Sequence, residues 1–69
     1  MARAIRGVPV LYVHPELPAH RAGLRRGDLI IAVNDVPTPD VDVYLEEAVP
    51  PFTATVLRGA RVLELRVER

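Results

Sequence analysis

Sixty-nine residues leave room for one core and no second domain, and a domain this small buries only about 60% of the surface that its unfolded chain exposes. Hydrophobic residues make up 49% of the chain, enough for that core, while nine basic and nine acidic residues cancel to a formal net charge of +0. With the arginines scattered from Arg3 to Arg69 there is no basic patch for nucleic acid, and with no cysteine there is neither a disulfide framework nor a thiolate metal site, which leaves the redox compartment open.

The longest apolar run, Leu29 to Val33, is far too short for a membrane span, and the first residues carry no apolar signal segment, so the chain reads as soluble. Every basic residue is Arg, and Ser and Gln are absent, a bias attributed to genomic or thermal background.

In chain order, Gly7 to Val13 is β-branched and aromatic and predicts a strand. Pro9 has no N–H to give a ladder, so that strand lies at an edge or begins there. His14 to Pro18 is a connection. Pro18 suits the first turn of a short helix through Ala22, and Gly23 supplies the left-handed stop, after which Leu24 enters the core. Gly27-Asp28 marks a turn in which the carboxylate can accept backbone N–H bonds. Leu29-Ile30-Ile31-Ala32-Val33 has the length and composition of a strand buried on both faces.

Asn34 to Pro39 reads as a loop, with Asp35 tolerating a turn conformation, and Asp40 as the N-cap of a helix over Val41 to Ala48. In that helix Val41, Leu45 and Ala48 share a face. Pro50-Pro51 ends it. Phe52, Ala54 and Val56, then Leu63, Leu65 and Val67, alternate on either side of an Arg58-Gly59-Ala60-Arg61 turn, which predicts a terminal hairpin with one core face. There is no repeat, low-complexity segment or linker, so residues 1–69 are expected to be one unit.

The segment from Val13 to Asn34, V-H-P-E-L-P-A-H-R-A-G-L-R-R-G-D-L-I-I-A-V-N, resembles the central signature of bacterial PDZ domains, V-x-P-x-S-P-A-x-x-A-G-L-x-x-G-D-x-I-x-x-V-N-G. Val41 to Leu45 is similar to the start of that family's groove helix, and Thr55 to Leu65 to its closing hairpin. Such domains accompany HtrA-type serine proteases, carboxy-terminal processing proteases and site-2 metalloproteases. The resemblance implies an α+β fold, a small, partly open barrel or sandwich of about four or five strands with two helices.

It also implies a peptide-binding module with no catalytic residues, cofactor or metal, expected to capture an extended, carboxy-terminal or unfolded segment by strand addition as the regulatory or substrate-presenting part of a protease system. The family's carboxylate loop, x-φ-G-φ, has one candidate here, Ile5-Arg6-Gly7-Val8. Arg6 stands where an apolar residue is usual, and its guanidinium can itself meet a carboxylate. The competing reading is that Gly7 simply begins a strand. The groove residues expected on this basis are Ile5, Arg6, Gly7, Val8, Val10, Val41, Tyr44 and Leu45.

The chain also departs from the pattern in length. Met1 to Arg6 are too few for the separate groove strand and hairpin that precede this point in many members, so either the groove strand is merged with Val8 to Val13 or the groove is incomplete. The alternative function is a structural or assembly domain whose vestigial groove packs on another domain or a second copy.

Catalytic readings lack parts. Thr38, Thr53 and Thr55 are the only aliphatic hydroxyls, and none is N-terminal or beside a base. His14, Glu16 and His20 do not have the H-E-x-x-H spacing of a zinc helix and read as exposed residues. Asp35, Asp40 and Asp42 lack the twelve-residue frame of a calcium loop and read as turn and cap residues. Gly23 and Gly27 are not followed by the lysine of a phosphate loop, and Glu46-Glu47 is the solvated face of a helix.

Overall fold

The structure is a computed structural model that describes residues 7–69. Its elements are β1 (Val8–Pro9), α1 (Pro18–Arg21), β2 (Leu29–Val33), β3 (Val36–Pro37), α2 (Val41–Glu47), β4 (Phe52–Arg58) and β5 (Arg61–Val67). The five strands form one open antiparallel sheet in the order β1-β2-β4-β5, with β3 paired to β2. β4 pairs along all of β2, from Leu29↔Leu57 to Val33↔Ala54. β1 and β3 therefore share the opposite edge, β1 at Leu29 and Ile30 and β3 at Ala32 and Val33. Among the described residues, no helix is long and apolar enough to cross a membrane.

The terminal hairpin follows the alternation of its sequence. Phe52, Ala54, Val56 and Val67 are buried, Leu63 and Leu65 pack beside them, and Gly59 takes φ +60° in the tight connection between Arg58 and Arg61. In α1, Pro18 occupies the first turn, where no intrahelical N–H is needed. Ala22 caps the other end, Gly23 turns the chain at φ +100°, and the N–H groups of Gly23 and Leu24 donate to the carbonyls of His20 and Ala19. This paired closure satisfies the last carbonyls of the helix and delivers Leu24 to the core, where it is 6% exposed. The Asp40 carboxylate accepts from the Val43 N–H at 3.1 Å and caps α2.

Four expectations are corrected. The strand over Gly7 to Val13 pairs as a ladder only at Val8 and Pro9, with Val10 bonded beyond it: its N–H donates to the Asp28 carbonyl and its carbonyl accepts from the Gly27 N–H. The opposing chain turns away at Gly27-Asp28, so Leu11 and Tyr12 have no strand to meet and stand 78% and 72% exposed.

β2 is not buried on both faces; Ile30 and Val33 are buried, and Leu29, Ile31 and Ala32 only partly. A register shift against β4 between Ile30 and Ala32 changes the phase of the pleat, which is how two residues three apart reach the same core. In α2 it is Tyr44 and Ala48 that pack on the core, while Val41 and Leu45 are exposed. The segment after Asn34, expected to be loop, contains the short strand β3, joined to β2 through Asn34 and Asp35 at φ 52° and 65°.

Candidate functional site

Gly7 fixes where the first strand can lie. A Cβ at this position would stand 2.5 Å from the Ile30 carbonyl oxygen and 3.0 Å from Leu29 Cγ, so only glycine lets the chain come this close to β2. Val8 and Val10 then turn their side chains into the core, each 8% exposed, and Pro9 and Leu11 face away. Along β1 runs an open groove of about 340 Å³. Val8 and Val10 line it from the strand, Leu24 and Ile30 from beneath and Tyr44 from α2, with Pro9, Leu11 and Tyr12 at its rim. Burial pushes the Tyr44 hydroxyl above the ordinary tyrosine range, as a partly desolvated phenol requires.

The edge of β1 away from β2 carries no strand among the described residues. Val10 commits both backbone groups toward the β2 side, and successive strand residues alternate in the edge they address. The backbone groups of Pro9 and Leu11 therefore point outward, along the groove.

Of the residues singled out in the sequence, Val8, Val10 and Tyr44 come together in this groove. Gly7 holds the strand in place without lining the cavity. Val41 and Leu45 also lie outside the lining; they are the first and fifth residues of α2, 52% and 66% exposed, on the helix surface adjoining Tyr44. Ile5 and Arg6 fall outside the described residues. Sequence reasoning placed Leu24 in the core but missed that it and Ile30 floor the groove, and it missed the rim formed by Leu11 and Tyr12. The alternation of Val8, Val10 and Tyr12 was a usable signal for the strand, whereas nothing local to Leu24 or Ile30 says what lies above them.

The histidines do not converge with acids. The His14 Nδ1 accepts the Glu16 N–H at 3.2 Å and its ring meets Tyr12 edge-on at 6.4 Å, so it is used in the turn that leads to α1. Among the described residues, no group of His, Asp and Glu is arranged to hold a metal ion.

A family model described as PDZ domain matches residues 10–48, more than half of the chain, from just after β1 through the end of α2. The chain belongs to the PDZ family. It is 39% identical over 69 residues to the putative serine protease HhoA of Synechocystis, an alignment covering 93% of this chain and 18% of that protein. It is also 39% identical over 61 residues to human PDZ domain-containing protein 11, covering 88% of this chain and 39% of that one. This PDZ domain thus spans well under half the length of these curated relatives.

Among solved structures it is similar to the crystal structure of the HtrA3 PDZ domain bound to a phage-derived ligand, FGRWV, with a TM-score of 0.85 and 31% identity over 91% of this chain and 62% of that chain. The open five-stranded sheet with two helices is the PDZ fold of that domain. A PDZ domain is a binding module, and the domain itself is non-catalytic.

Proposed function

We propose that this PDZ domain, with residues 1–69 acting as one unit, captures an extended peptide segment by adding it to the outer edge of β1, with side chains of the segment seated over Leu24, Ile30 and Tyr44. The observation that carries this reading is the coincidence, along the same few residues from Val8 to Tyr12, of an apolar groove and a strand edge that no other strand among the described residues pairs. Main-chain bonds to an edge supply affinity without regard to sequence, and the pocket beneath supplies selectivity. An apolar side chain fits the floor, which presents two aliphatic residues and one aromatic ring.

A strand running antiparallel to β1 has its carboxyl end at Gly7, the residue that follows Ile5 and Arg6 in the sequence, so Arg6 is the residue to test for reading a terminal carboxylate. Val41 and Leu45 extend the apolar wall on the α2 side. The likeness to HtrA-type PDZ domains supports a place in a protease system, presenting or sensing substrate.

Amide-shift perturbation in isotope-labelled protein tests the proposal, with the pentapeptide FGRWV as the probe in free-acid and amidated forms. Shifts confined to Gly7–Tyr12, Leu24 and α2 are expected, larger for the free acid. Equal affinity for both forms would replace end capture with binding of internal segments. No shift at any of these residues would overturn the groove and favour the assembly role.

A further inference from the structure

Leu24, on the floor of the groove, is held from both sides by one ion pair whose members do not line the groove. The carbonyl of the peptide group before it, that of Gly23, accepts from Arg58 Nη2 at 2.8 Å. The N–H of the peptide group after it, that of Arg25, donates to Asp28 Oδ2 at 2.9 Å. The two holders are joined to each other by the paired bonds of a guanidinium on a carboxylate, at 2.8 and 2.7 Å.

The main chain beside the same carboxylate holds the groove strand. The Asp28 carbonyl accepts from the Val10 N–H at 2.8 Å, and the Gly27 N–H donates to the Val10 carbonyl at 2.9 Å. These bonds lie past the end of the β1–β2 ladder, so Val10 takes its place from Gly27 and Asp28. Floor and strand are thus both referred to Asp28, and Asp28 is referred to Arg58, the last residue of β4.

We propose that Arg58 is a positioning residue for peptide capture, a role that rests on the function proposed for the groove. From the end of β4 it sets the depth of Leu24 and, through Asp28, the line of the strand at Val10, without lining the groove itself. A brace is needed because the loop over Leu24 begins and ends on glycines, Gly23 at φ +100° and Gly27 at φ +92°, whose backbones have the most freedom to lose. A guanidinium suits the task. Its fork meets both carboxylate oxygens and leaves a second Nη2 hydrogen for the Gly23 carbonyl, whereas a lysine ammonium keeps the charge and loses the planar fit.

The test sets wild type beside Arg58→Met, Arg58→Lys and Val67→Ala, the last a core truncation in β5 away from the groove lining. Two quantities are read: hydrogen exchange at the Val10 and Gly27 amides against that at Ala54 and Val56 in β4, and affinity for FGRWV at a temperature where each variant is folded. Loss of global stability speeds exchange in β4, whereas loss of the brace opens Val10 and Gly27 beyond any change there. Arg58→Met is expected to open these two amides selectively and to weaken FGRWV by about 2- to 12-fold, the worth of one hydrogen bond. Arg58→Lys should fall between it and wild type, and it decides the matter if Arg58→Met does not fold. Val67→Ala should speed exchange in β4 and bind FGRWV as wild type does.

Wild-type affinity in the folded Arg58 variants would overturn the positioning role, as would a Val67→Ala variant that binds as weakly as Arg58→Met. Selective opening of Val10 and Gly27 in the Arg58 variants, with no FGRWV bound even by wild type, would uphold the brace and overturn peptide capture.

Discussion

Arg58 and Asp28, thirty residues apart in sequence, form a bidentate pair in which Nε donates to Oδ1 at 2.8 Å and Nη2 to Oδ2 at 2.7 Å. The same Nη2 donates to the Gly23 carbonyl, and the Arg25 N–H donates to Oδ2, so one guanidinium and one carboxylate tie the end of β4 to the turns flanking Leu24. Asp28 is 2% exposed and fully engaged, which is the condition under which such a pair holds geometry rather than merely decorating a surface.

The pair makes stability depend on acid. Hydrogen bonding to Arg58, opposed by desolvation and aided by the Arg25 N–H and both positive charges, holds the Asp28 carboxyl below its usual range. A carboxyl with a depressed folded-state pKa contributes fully above its unfolded value, about 3.9, and that contribution is lost as pH falls through the folded value. Denaturant midpoints of wild type and Asp28→Asn are therefore expected to differ by a constant amount near neutrality and to converge below about pH 4. A difference that persists to the acid limit of the titration would mean that the charge of Asp28 contributes nothing.

Thr38 is fully buried, its hydroxyl donating to the Ile30 carbonyl at 2.8 Å and its N–H to the Ile31 carbonyl at 3.0 Å. These are the carbonyls of β2 at its register shift, which Thr38 supplies with partners. Thr38→Val keeps the volume and strips the hydroxyl, removing one bond to an interior carbonyl at a cost of about 0.5–1.5 kcal/mol. Thr38→Ser keeps the bond and should fall short of that loss. Equal unfolding midpoints for Val and wild type would show that the hydroxyl bond contributes nothing to stability.

Asn34 and Asp35 both hold positive φ, 52° and 65°, as a two-residue hairpin connection between β2 and β3 demands. Asn34 has a reason to stay, because its side chain accepts the Thr53 N–H at 3.0 Å. Asp35 carries the left-handed conformation with no side-chain hydrogen bond of its own among the described residues. Asp35→Gly is expected to raise stability by up to about 1 kcal/mol, the relief of a Cβ in that region set against the entropy of glycine. A lower thermal midpoint would show that Asp35 contributes more than its backbone angle.

Much of this architecture could be read from local chemistry. The Gly23-Leu24 stop, the Asp40 cap, the Asn34-Asp35 turn and the Phe52-to-Val67 hairpin each rest on residues within a few positions of one another, and each stands where the sequence puts it. What the sequence hid depends on distance. Asp28 was readable as a turn residue bonded to backbone, but its partner Arg58 lies in another strand. Thr38 offered only a hydroxyl with no base nearby, and its use at the irregularity of β2 follows from a register that no local pattern fixes.

The first strand is shorter than its β-branched run because its partner turns away, and α2 packs Tyr44 rather than Val41 and Leu45 on the core because the core approaches from one side of a shared apolar stripe. Of the groove, the strand and Tyr44 were legible from the family pattern. Its floor at Leu24 and Ile30 was not, since burial says nothing about which cavity a residue closes.

The exposed half of that stripe gives the cleanest probe of the site. Val41 and Leu45 contribute little to the core at 52% and 66% exposure, so Val41→Glu and Leu45→Glu should each change stability by no more than about 0.5 kcal/mol. Tyr44→Ala, by contrast, removes both core packing and groove lining, and its effect on binding could not be separated from its effect on folding. If the α2 wall contacts the bound segment, a glutamate there must be desolvated against apolar side chains or must hold the segment off. FGRWV should then bind each glutamate variant at least several-fold more weakly while the melting midpoints match wild type. The outcome that removes α2 from the site is unchanged affinity in both variants, with shifts still confined to Gly7–Tyr12; capture would then rest on the strand edge and the groove floor alone.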